Sequence, residues 1–310
     1  MTVNGEVTVS GKRAYDVLVV GSANADLTVR VARRPGAGET VLGSDLVESA
    51  GGKGANQAAA AARLGARTAL LAKVGDDAFG ELLLAGQRAA GTELRHVLVE
   101  RGARTGTAMI VVGPDGDNSI VVSPGANARL SPADVTDARE AVAAASVVSL
   151  QWEIPPETVR TAVALARECG TRVVLNPSPA PERLEGELLA AADPLVVNEH
   201  EARQLSGRAD GGPAEWAGAL RALGARSVVV TLGGDGALAA DDGGTVAVAG
   251  VPVTAVDTTG AGDAFTGALA TRLAAGEALA DAVRFAVRVG AASVTKAGAQ
   301  PSYPTPGELP

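Results

Sequence analysis

The stretch DVLVVG, residues 16–21, decides the fold, because it is a continuous apolar run that ends at a glycine. Strands buried on both faces of a parallel sheet have this composition, whereas strands with one wet face alternate apolar and polar residues. Similar runs recur along the chain: TALLAKVG at 68–75, SVVSL at 146–150, RVVLN at 172–176, PLVVN at 194–198 and SVVVTLG at 227–233. The repetition predicts one central sheet made of these runs.

Helical patterns lie between most of these runs. They include GANQAAAAARLG at 54–65, FGELLLAGQRAAG at 79–91 and PETVRTAVALAREC at 156–169, and a further helical region spans about 260–297, split near Gly276. Glycines follow several of these patterns, as they commonly follow helices. Alternating strands and helices predict an α/β fold with a doubly wound, mostly parallel central sheet flanked by helices.

Two stretches break the alternation, at about 25–50 and 104–124. Both are typical of strand–turn–strand, and VV-GPDGDN-SIVV in the second favours a hairpin. We therefore expect one domain over residues 1–310, with a small projecting β-sheet inserted in the α/β core. That small sheet is either an extension of the main sheet or a lid that excludes water from a reaction.

Composition narrows the possible partners. The 310 residues carry a net charge of −8 and only 2% aromatic residues, which argues against nucleic acid and anionic membranes and leaves small-molecule ligands. A lone cysteine, Cys169, cannot form an internal disulfide. The start, MTVNGEVTVSGKRAYD, lacks an apolar signal core, and no apolar run is long enough to span a bilayer. These features predict a cytoplasmic protein.

The most informative segment is AVDTTGAGDAFTGAL, residues 255–269. Gly260, Ala261 and Gly262 precede or open a helix, and backbone N–H groups at such a point form a cradle for an anion. Asp263 beside the cradle has two interpretations. It is either a charge that stabilises the helix N-terminus or a general base next to a phosphoryl group.

A second glycine-rich segment, AGGKGANQA, joins a loop to a helix at residues 50–58. It is not a Walker A loop, and no Gly-x-Gly-x-x-Gly follows the first strand, so a nicotinamide site has little support. A simple glycine turn explains Gly52 but not Lys53 or Asn56, whose side chains can bind sugar hydroxyls.

Three further segments are ambiguous. In GSANADL, residues 21–27, Asn24 and Asp26 form either a turn or a pair of ligands for vicinal hydroxyls. In NEHEA, Asn198 and Glu201 form either a capping box or a water-mediated Mg²⁺ site. The segment TLGGDGA, residues 231–237, either carries nucleotide phosphates or turns the chain.

Taken together, the segments resemble the ribokinase-like carbohydrate kinase family over nearly the whole chain, from Asp16 to about Pro304. The matching motifs include GSANAD, AGGKGANQA, KVGDDAFGE, LNPSPA, VVNEHEA, DTTGAGDAFTGAL and KAGAQPS. The DTTGAGD motif is shared by the family, whereas GGKGANQA and KAGAQPS resemble its ribose-specific branch. The resemblance implies ATP-dependent phosphorylation of D-ribose at its primary 5-hydroxyl. Kinases of deoxyribose, fructose or adenosine, a non-catalytic sugar sensor and a nicotinamide-dependent enzyme remain as alternatives.

The resemblance also implies residue roles. Asp263 resembles the catalytic base, and Gly260, Ala261 and Gly262 resemble its anion hole. The residues that resemble ribose contacts are Asn24, Asp26, Gly52, Lys53, Asn56, Glu153 and Asp263. Those that resemble the ATP site are Asn198, Thr231, Leu232, Gly233, Gly234, Asp235, Gly236, Gly262 and Asp263.

Metal sites and assembly follow from the same resemblance. The residues that resemble a K⁺ site are Asp257, Thr259, Ser293, Lys296, Gly298 and Ser302, several of them through backbone carbonyls. Glu201 resembles an indirect Mg²⁺ contact. Val287 stands where related kinases often carry His or Asn against the adenine, so that contact is expected to be apolar. A homodimer joined through the small sheet is also implied.

Overall fold

A computed structural model describes residues 13–310 of the chain. The first part of the segment predicted to lack a signal core, MTVNGEVTVSGK, lies outside the described residues. The strands are β1 (Tyr15–Val20), β2 (Asn24–Arg30), β3 (Val47–Gly51), β4 (Thr68–Gly75), β5 (Val97–Glu100), β6 (Gly106–Val112), β7 (Asn118–Ser123), β8 (Ala145–Leu150), β9 (Arg172–Leu175), β10 (Ala192–Asn198), β11 (Val228–Thr231), β12 (Gly236–Asp241) and β13 (Gly244–Ala249).

The α-helices lie between and after these strands. They are α1 (Lys53–Arg63), α2 (Ala78–Ala90), α3 (Pro132–Asp137), α4 (Arg139–Ala143), α5 (Pro156–Glu168), α6 (Gly186–Ala191), α7 (Glu199–Ser206), α8 (Pro213–Ala222), α9 (Ala261–Ala274) and α10 (Leu279–Ser293). Among the described residues, no helix is long and apolar enough to cross a membrane.

The run that suggested the fold forms β1, whose residues 17–20 are completely buried. β1 pairs in parallel with β4 on one side and β8 on the other. The large sheet has nine strands in the order β13-β12-β11-β10-β9-β8-β1-β4-β5. One apolar core contains residues of α3 to α8, and a second contains residues of α1, α2, α9 and α10. Helices therefore cover both faces, and the predicted doubly wound, mostly parallel sheet is confirmed.

Three strands of the large sheet had no counterpart in the sequence prediction. β5 is a short parallel edge strand beside β4. β12 and β13 form an antiparallel hairpin that extends the sheet beyond β11. The glycine turn predicted after SVVVTLG is therefore the entry to a further strand.

The small sheet, made of β2, β3, β6 and β7, is separate from the large one. The predicted hairpin is β6–β7, with Ile110 opposite Ile120. β2 joins this hairpin in parallel to β6 and pairs antiparallel with β3 on its other edge. The projecting sheet predicted from residues 25–50 and 104–124 is confirmed.

The order of the large sheet reverses beside β1. The strands after β1 continue on one side as β4 and β5, and on the other side as β8, β9, β10 and β11. Open α/β sheets bind ligands at such a switch point, outside the carboxyl ends of the strands. Ser22 follows β1 and Glu153 follows β8, and the Ser22 hydroxyl donates to the Glu153 carboxylate at 2.6 Å. The fold thus places a crevice where the predicted site residues lie.

Candidate active site

The glycine-rich segment brings the start of α1 against the turn between β1 and β2. Gly52 has a φ of 86°, and a Cβ there would lie 2.6 Å from the Asn24 backbone nitrogen. A Cβ on Gly51 would lie 2.1 Å from a carboxylate oxygen of Asp26. Both positions therefore require glycine, and the close approach places Lys53, the first residue of α1, beside Asp26.

Asp263 lies in the first turn of α9 and is only 7% exposed. Its Oδ2 accepts a hydrogen bond from Asn56 Nδ2 at 3.0 Å, and its Oδ1 accepts one from Gln57 Nε2 at 3.2 Å. Gly260, the residue before α9, has no side chain that could cap the helix. The carboxylate is therefore held by α1 across the site, and the helix-charge interpretation does not explain its orientation.

The ammonium group of Lys53 interacts electrostatically with the nearby carboxylates of Asp26, Glu153 and Asp263. Burial acts to lower the pKa of Lys53, but the carboxylates of Asp263 and Glu153 outweigh it and raise that pKa. Burial raises the pKa of Asp263, while Lys53, Asn56 and Gln57 oppose the rise. Burial, with Glu153 and Asp263, raises the pKa of Asp26 to about 7. The cluster has more acids than bases, which suits a ligand that donates hydroxyl protons.

The Asn24 side chain is buried at the turn after β1. Its Oδ1 accepts a hydrogen bond from Asn127 Nδ2 at 2.7 Å. Asn127 also bonds both backbone groups of Ala23, through its Oδ1 and Nδ2. The Asn24 side chain therefore helps to fix the turn after β1, and its role as a sugar contact stays a prediction.

The anion cradle lies at the N-terminus of α9. Gly260 has a φ of 73°, and the Tyr303 hydroxyl donates to its carbonyl at 3.1 Å. The Ala261 amide donates to the Thr258 carbonyl at 3.2 Å, so one of the predicted cradle donors is already engaged. The amides of Gly262 and Asp263 stand in the first turn, where a helix offers them no acceptor. A cavity of about 170 Å³, lined by Gly262, Asp263 and Lys53, opens directly beside them.

A second cavity of about 350 Å³ adjoins the first, since Thr231, Thr258, Ala261 and Gly262 line both. Its remaining walls are mostly glycines and apolar side chains, among them Val287, which is 7% exposed. Val287 therefore presents an apolar side chain, as predicted, to a cavity whose size suits a nucleoside.

The predicted nucleotide segment contributes to this cavity unevenly. Thr231, Gly233, Gly234 and Gly236 line it. Leu232 instead packs against the core on the α3–α8 face of the sheet. Asp235 is exposed and does not line the cavity.

Asn198 and Glu201 form the capping box of α7. Asn198 Oδ1 accepts from the Glu201 amide, and Glu201 Oε2 accepts from the Asn198 amide, both at 2.9 Å. Both residues also line the 170 Å³ cavity. Asn198 and Glu201 therefore do form the capping box. They also border the cavity beside Asp263.

The residues of the predicted K⁺ site lie in the loop before α9 and in the segment that begins at the end of α10, and the Asp257 carboxylate joins the two. Asp257 accepts hydrogen bonds from the amides of Thr259 and Gly298, each at 2.9 Å. Burial acts to raise the pKa of Asp257, but donors from Thr259 and Gly298 outweigh it and keep the pKa below its usual value.

The remaining members of that set offer neutral oxygens. Ser293 and Ser302 donate to the backbone carbonyls of Gly290 and Ala299, and the Lys296 ammonium pairs with Glu308 at 3.0 Å. Lys296 is left with its carbonyl. In the part of the chain that the structure describes, no group of three or more His, Cys, Asp or Glu is placed to hold a metal. One carboxylate with carbonyls and hydroxyls fits a large monovalent cation better than a divalent one.

The sequence analysis missed several polar residues of the site. Gln57, which donates to Asp263, is also bonded to Asn176 and to Gln151, and Gln300 donates to Asn56 Oδ1 at 3.0 Å. Gln151 and Asn176 each follow directly after a buried strand, β8 or β9. That position, at the carboxyl end of a parallel strand, was the available signal.

Comparisons with known proteins agree with this geometry. A family model for the pfkB family carbohydrate kinases matches residues 14–306. The chain belongs to the pfkB carbohydrate kinase family. It is 40% identical to the ribokinase of Bacillus subtilis over 294 residues, which covers 95% of this chain and 98% of that protein.

Other members of the pfkB family are also similar. The deoxyribokinase of Salmonella typhi is 36% identical, covering 94% of this chain and 96% of that protein. The structure of Arabidopsis thaliana ribokinase complexed with ribose and ATP superposes with a TM-score of 0.89 at 33% identity, covering 95% of this chain and 97% of that one.

Proposed function

We propose that this pfkB kinase transfers the γ-phosphoryl group of ATP to the primary 5-hydroxyl of D-ribose, giving ribose 5-phosphate and ADP. The observation that carries the proposal is the position of Asp263. Its buried carboxylate stands where the phosphate-sized cavity meets the cluster of Asp26, Lys53 and Glu153. The similarity to ribokinases over almost the full length supports ribose as the acceptor.

In this mechanism the sugar lies against Asn24, Asp26, Gly52, Lys53, Asn56 and Glu153. Asp263 accepts the proton of the 5-hydroxyl while the oxygen of that hydroxyl forms a bond to the γ-phosphorus. The bond from that phosphorus to the β–γ bridging oxygen breaks, and ADP leaves with the electron pair. Such transfers depend mainly on positioning and on stabilisation of the phosphoryl charge.

The amides at the start of α9 and the Lys53 ammonium provide the positive potential for that charge. The nucleoside occupies the 350 Å³ cavity, with its phosphates directed toward Thr231, Asn198 and Gly262. Asn198 and Glu201 would hold Mg²⁺ through water, and the ion would supply charge neutralisation at the phosphate oxygens. The residues that would hold a K⁺ ion are Asp257, Thr259, Ser293, Lys296, Gly298 and Ser302, and the ion would support the loop that leads to the cradle.

We further infer that the small sheet is a lid and a dimer contact within one domain over residues 1–310. Strand β7 is exposed along its whole length, including Ile120, Val121 and Val122. Asp26 lies on β2, so movement of the small sheet would carry a sugar contact with it. The cytoplasmic location remains a prediction from the sequence.

The first experiment measures ADP formation from ATP and Mg²⁺ with D-ribose, deoxyribose, fructose and adenosine, with and without K⁺. We expect turnover on ribose to exceed the others and to rise with K⁺. Preference for deoxyribose would keep the mechanism and change the substrate. Absence of turnover on any acceptor would reject the kinase proposal and favour a sensor.

The role of Asp263 has its own variant. Asp263→Asn keeps the shape of the side chain, so ribose binding measured by calorimetry is expected to persist. Turnover should fall by about 10²–10⁴-fold, the usual contribution of a general base. Asp115→Asn, in the exposed turn of the β6–β7 hairpin, is the matched control. Near-normal turnover of Asp263→Asn would remove the base from the mechanism.

A further inference from the structure

Gln57 is the central member of the polar network behind the candidate base. It lies on α1 and is completely buried. Its Nε2 donates to Asp263 Oδ1 at 3.2 Å and to Asn176 Oδ1 at 3.3 Å. Its Oε1 accepts from Ser149 Oγ at 2.8 Å and from Gln151 Nε2 at 2.5 Å. Both protons and both lone-pair directions of the amide are therefore used.

This pattern permits only one orientation of the Gln57 amide. A flip would turn its oxygen toward the oxygens of Asp263 and Asn176, and its NH₂ group toward the NH₂ group of Gln151. Asn176 is fixed in turn, because its own Nδ2 donates to the Val196 carbonyl of β10 at 2.9 Å. The backbone of β10 thus determines the orientation of the Asn176 amide. Asn176 in turn determines the orientation of the Gln57 amide.

We propose that Gln57 is the positioning residue for the base, because its amide holds Oδ1 of Asp263 and so fixes how that carboxylate faces the sugar hydroxyl. This proposal rests on the proposed kinase function. Gln57 acts through Asp263, as it is bonded to Asp263 and to groups behind it. Asn56 fixes the other oxygen, Oδ2, so the two neighbours on α1 together allow the carboxylate one rotamer.

The same hydrogen bond affects proton transfer. Donation from Gln57 favours the ionised carboxylate and opposes the rise that burial produces in the pKa of Asp263. The other charged or titratable groups near Asp263 are Lys53, Asp26, Glu153 and Tyr303, together with Glu201 on the wall of the same cavity. A substitution at Gln57 leaves all of these in place, so a change in the titration of Asp263 is attributable to the lost donor.

The test compares Gln57→Met and Gln57→Glu with the wild type. Methionine preserves length but cannot donate, so we expect turnover to fall about 10- to 100-fold while KM for ribose stays within about threefold. The acid limb of its kcat profile should move to higher pH. In Gln57→Glu a protonated carboxyl can still donate at low pH, whereas the ionised form repels Asp263. Its activity relative to wild type should therefore fall as pH rises, opposite to the trend for methionine.

Thr158→Val is the control for stability, because the buried Thr158 hydroxyl donates to the Leu130 carbonyl on the far face of the sheet. It should reduce thermal stability without altering the kcat profile. A readout independent of turnover is the ¹³C chemical shift of the Asp263 carboxyl, assigned with Asp263→Asn and titrated in the wild type and in Gln57→Met. The proposal predicts a higher midpoint in the variant.

The outcomes separate the two proposals. If the wild type phosphorylates no sugar, the proposed function fails, while the carboxyl titration still reports whether Gln57 controls Asp263. If the wild type is active and Gln57→Met keeps both its turnover and its titration midpoint, the positioning role is wrong. If both Gln57 variants lose turnover equally at every pH, in proportion to lost thermal stability, Gln57 is a structural residue only.

Discussion

At the scale of single residues, Asp26 is a largely buried carboxyl group whose ionised form is unfavourable in the folded protein. It lies on β2 beside Gly51, with Lys53 as its nearby cation and with Glu153 and Asp263 as neighbouring carboxylates. Its pKa is raised from 3.8 to about 7, mainly by burial. The free protein therefore binds a proton at Asp26 that the unfolded chain releases near pH 4.

This linkage predicts a pH-dependent effect of Asp26→Asn. Because the folded pKa lies above the unfolded value, Asp26 supports stability at low pH, and that support is lost as pH rises from about 4 to about 7. The variant should melt close to the wild type near pH 4 and about 2–6 °C higher at pH 8, while binding ribose more weakly. Asp115→Asn should show no such trend, and a lower melting temperature of Asp26→Asn at pH 8 would contradict the electrostatic account.

The sequence analysis identified Asp263, Lys53 and Asn56, because their residue types and their positions beside glycine-rich turns indicate a ligand-binding or catalytic role. It did not identify Gln57, although this residue directly follows Asn56. A glutamine among alanines on a helix carries no local signal, and its importance arises from Ser149, Gln151 and Asn176, which only the assembled sheet brings together.

At the scale of elements, the cavity proposed for the nucleotide is formed by β11, the start of the β12–β13 hairpin, the loop that follows this hairpin, α9 and α10, and it is lined mainly by small and apolar groups. Among the described residues that line it, none has a charged, amide or imidazole side chain. A largely apolar pocket discriminates poorly between ligands of similar shape, whereas a site with matched polar side chains rejects them strongly.

We therefore expect weak discrimination among purine nucleotides. The value of kcat/KM with GTP or ITP should lie within about 100-fold of that with ATP. Val287→Asn places an amide in the wall of the cavity and should change the ratio of kcat/KM with ATP to kcat/KM with GTP. Val289→Asn is not a suitable control, because Val289 is completely buried in the core. The exposed Val99 provides that control as Val99→Asn. Discrimination above about 10⁴-fold in the wild type would show that backbone groups recognise the base.

The same hairpin shows why some elements were not predicted. β12 contains GALAAD, which is mostly glycine and alanine, whereas half of the β13 sequence GTVAVA is threonine and valine. Glycine and alanine favour strands weakly, so the pairing of β12 depends on neighbouring β11 rather than on local preference. The threonine and valines of β13 favour a strand, and the sequence analysis did not use that signal. The runs of Val and Leu in β1, β4, β8 and β11 carry strong local signals, and the sequence predicted them.

At the scale of the whole molecule, alternation of strands and helices predicts a doubly wound sheet but not the order of its strands. That order depends on which apolar faces meet, and the reversal beside β1 emerges only in three dimensions. Once β1 and β8 are neighbours, residues as distant in sequence as Ser22 and Glu153 come within hydrogen-bonding distance. The position of the site is therefore a consequence of topology.

The small sheet gives the last prediction, which concerns assembly. Direct partners in a sheet share a face, so the register places Ile110 and Ile120 on the same face as Asp26. Ile120 is 51% exposed on the open strand β7, and an exposed apolar edge of this kind is usually covered by a partner.

Ile120→Lys should convert a homodimer into a monomer in light scattering, because a lysine ammonium is costly to bury between two sheets. Leu223→Lys, at an equally exposed apolar position after α8, should remain a dimer. If closure of the small sheet depends on its partner, the monomeric variant should also show a raised KM for ribose while its kcat changes less. A wild type that is monomeric at all concentrations tested would reject the contact, and a dimer unaffected by Ile120→Lys would place the interface elsewhere.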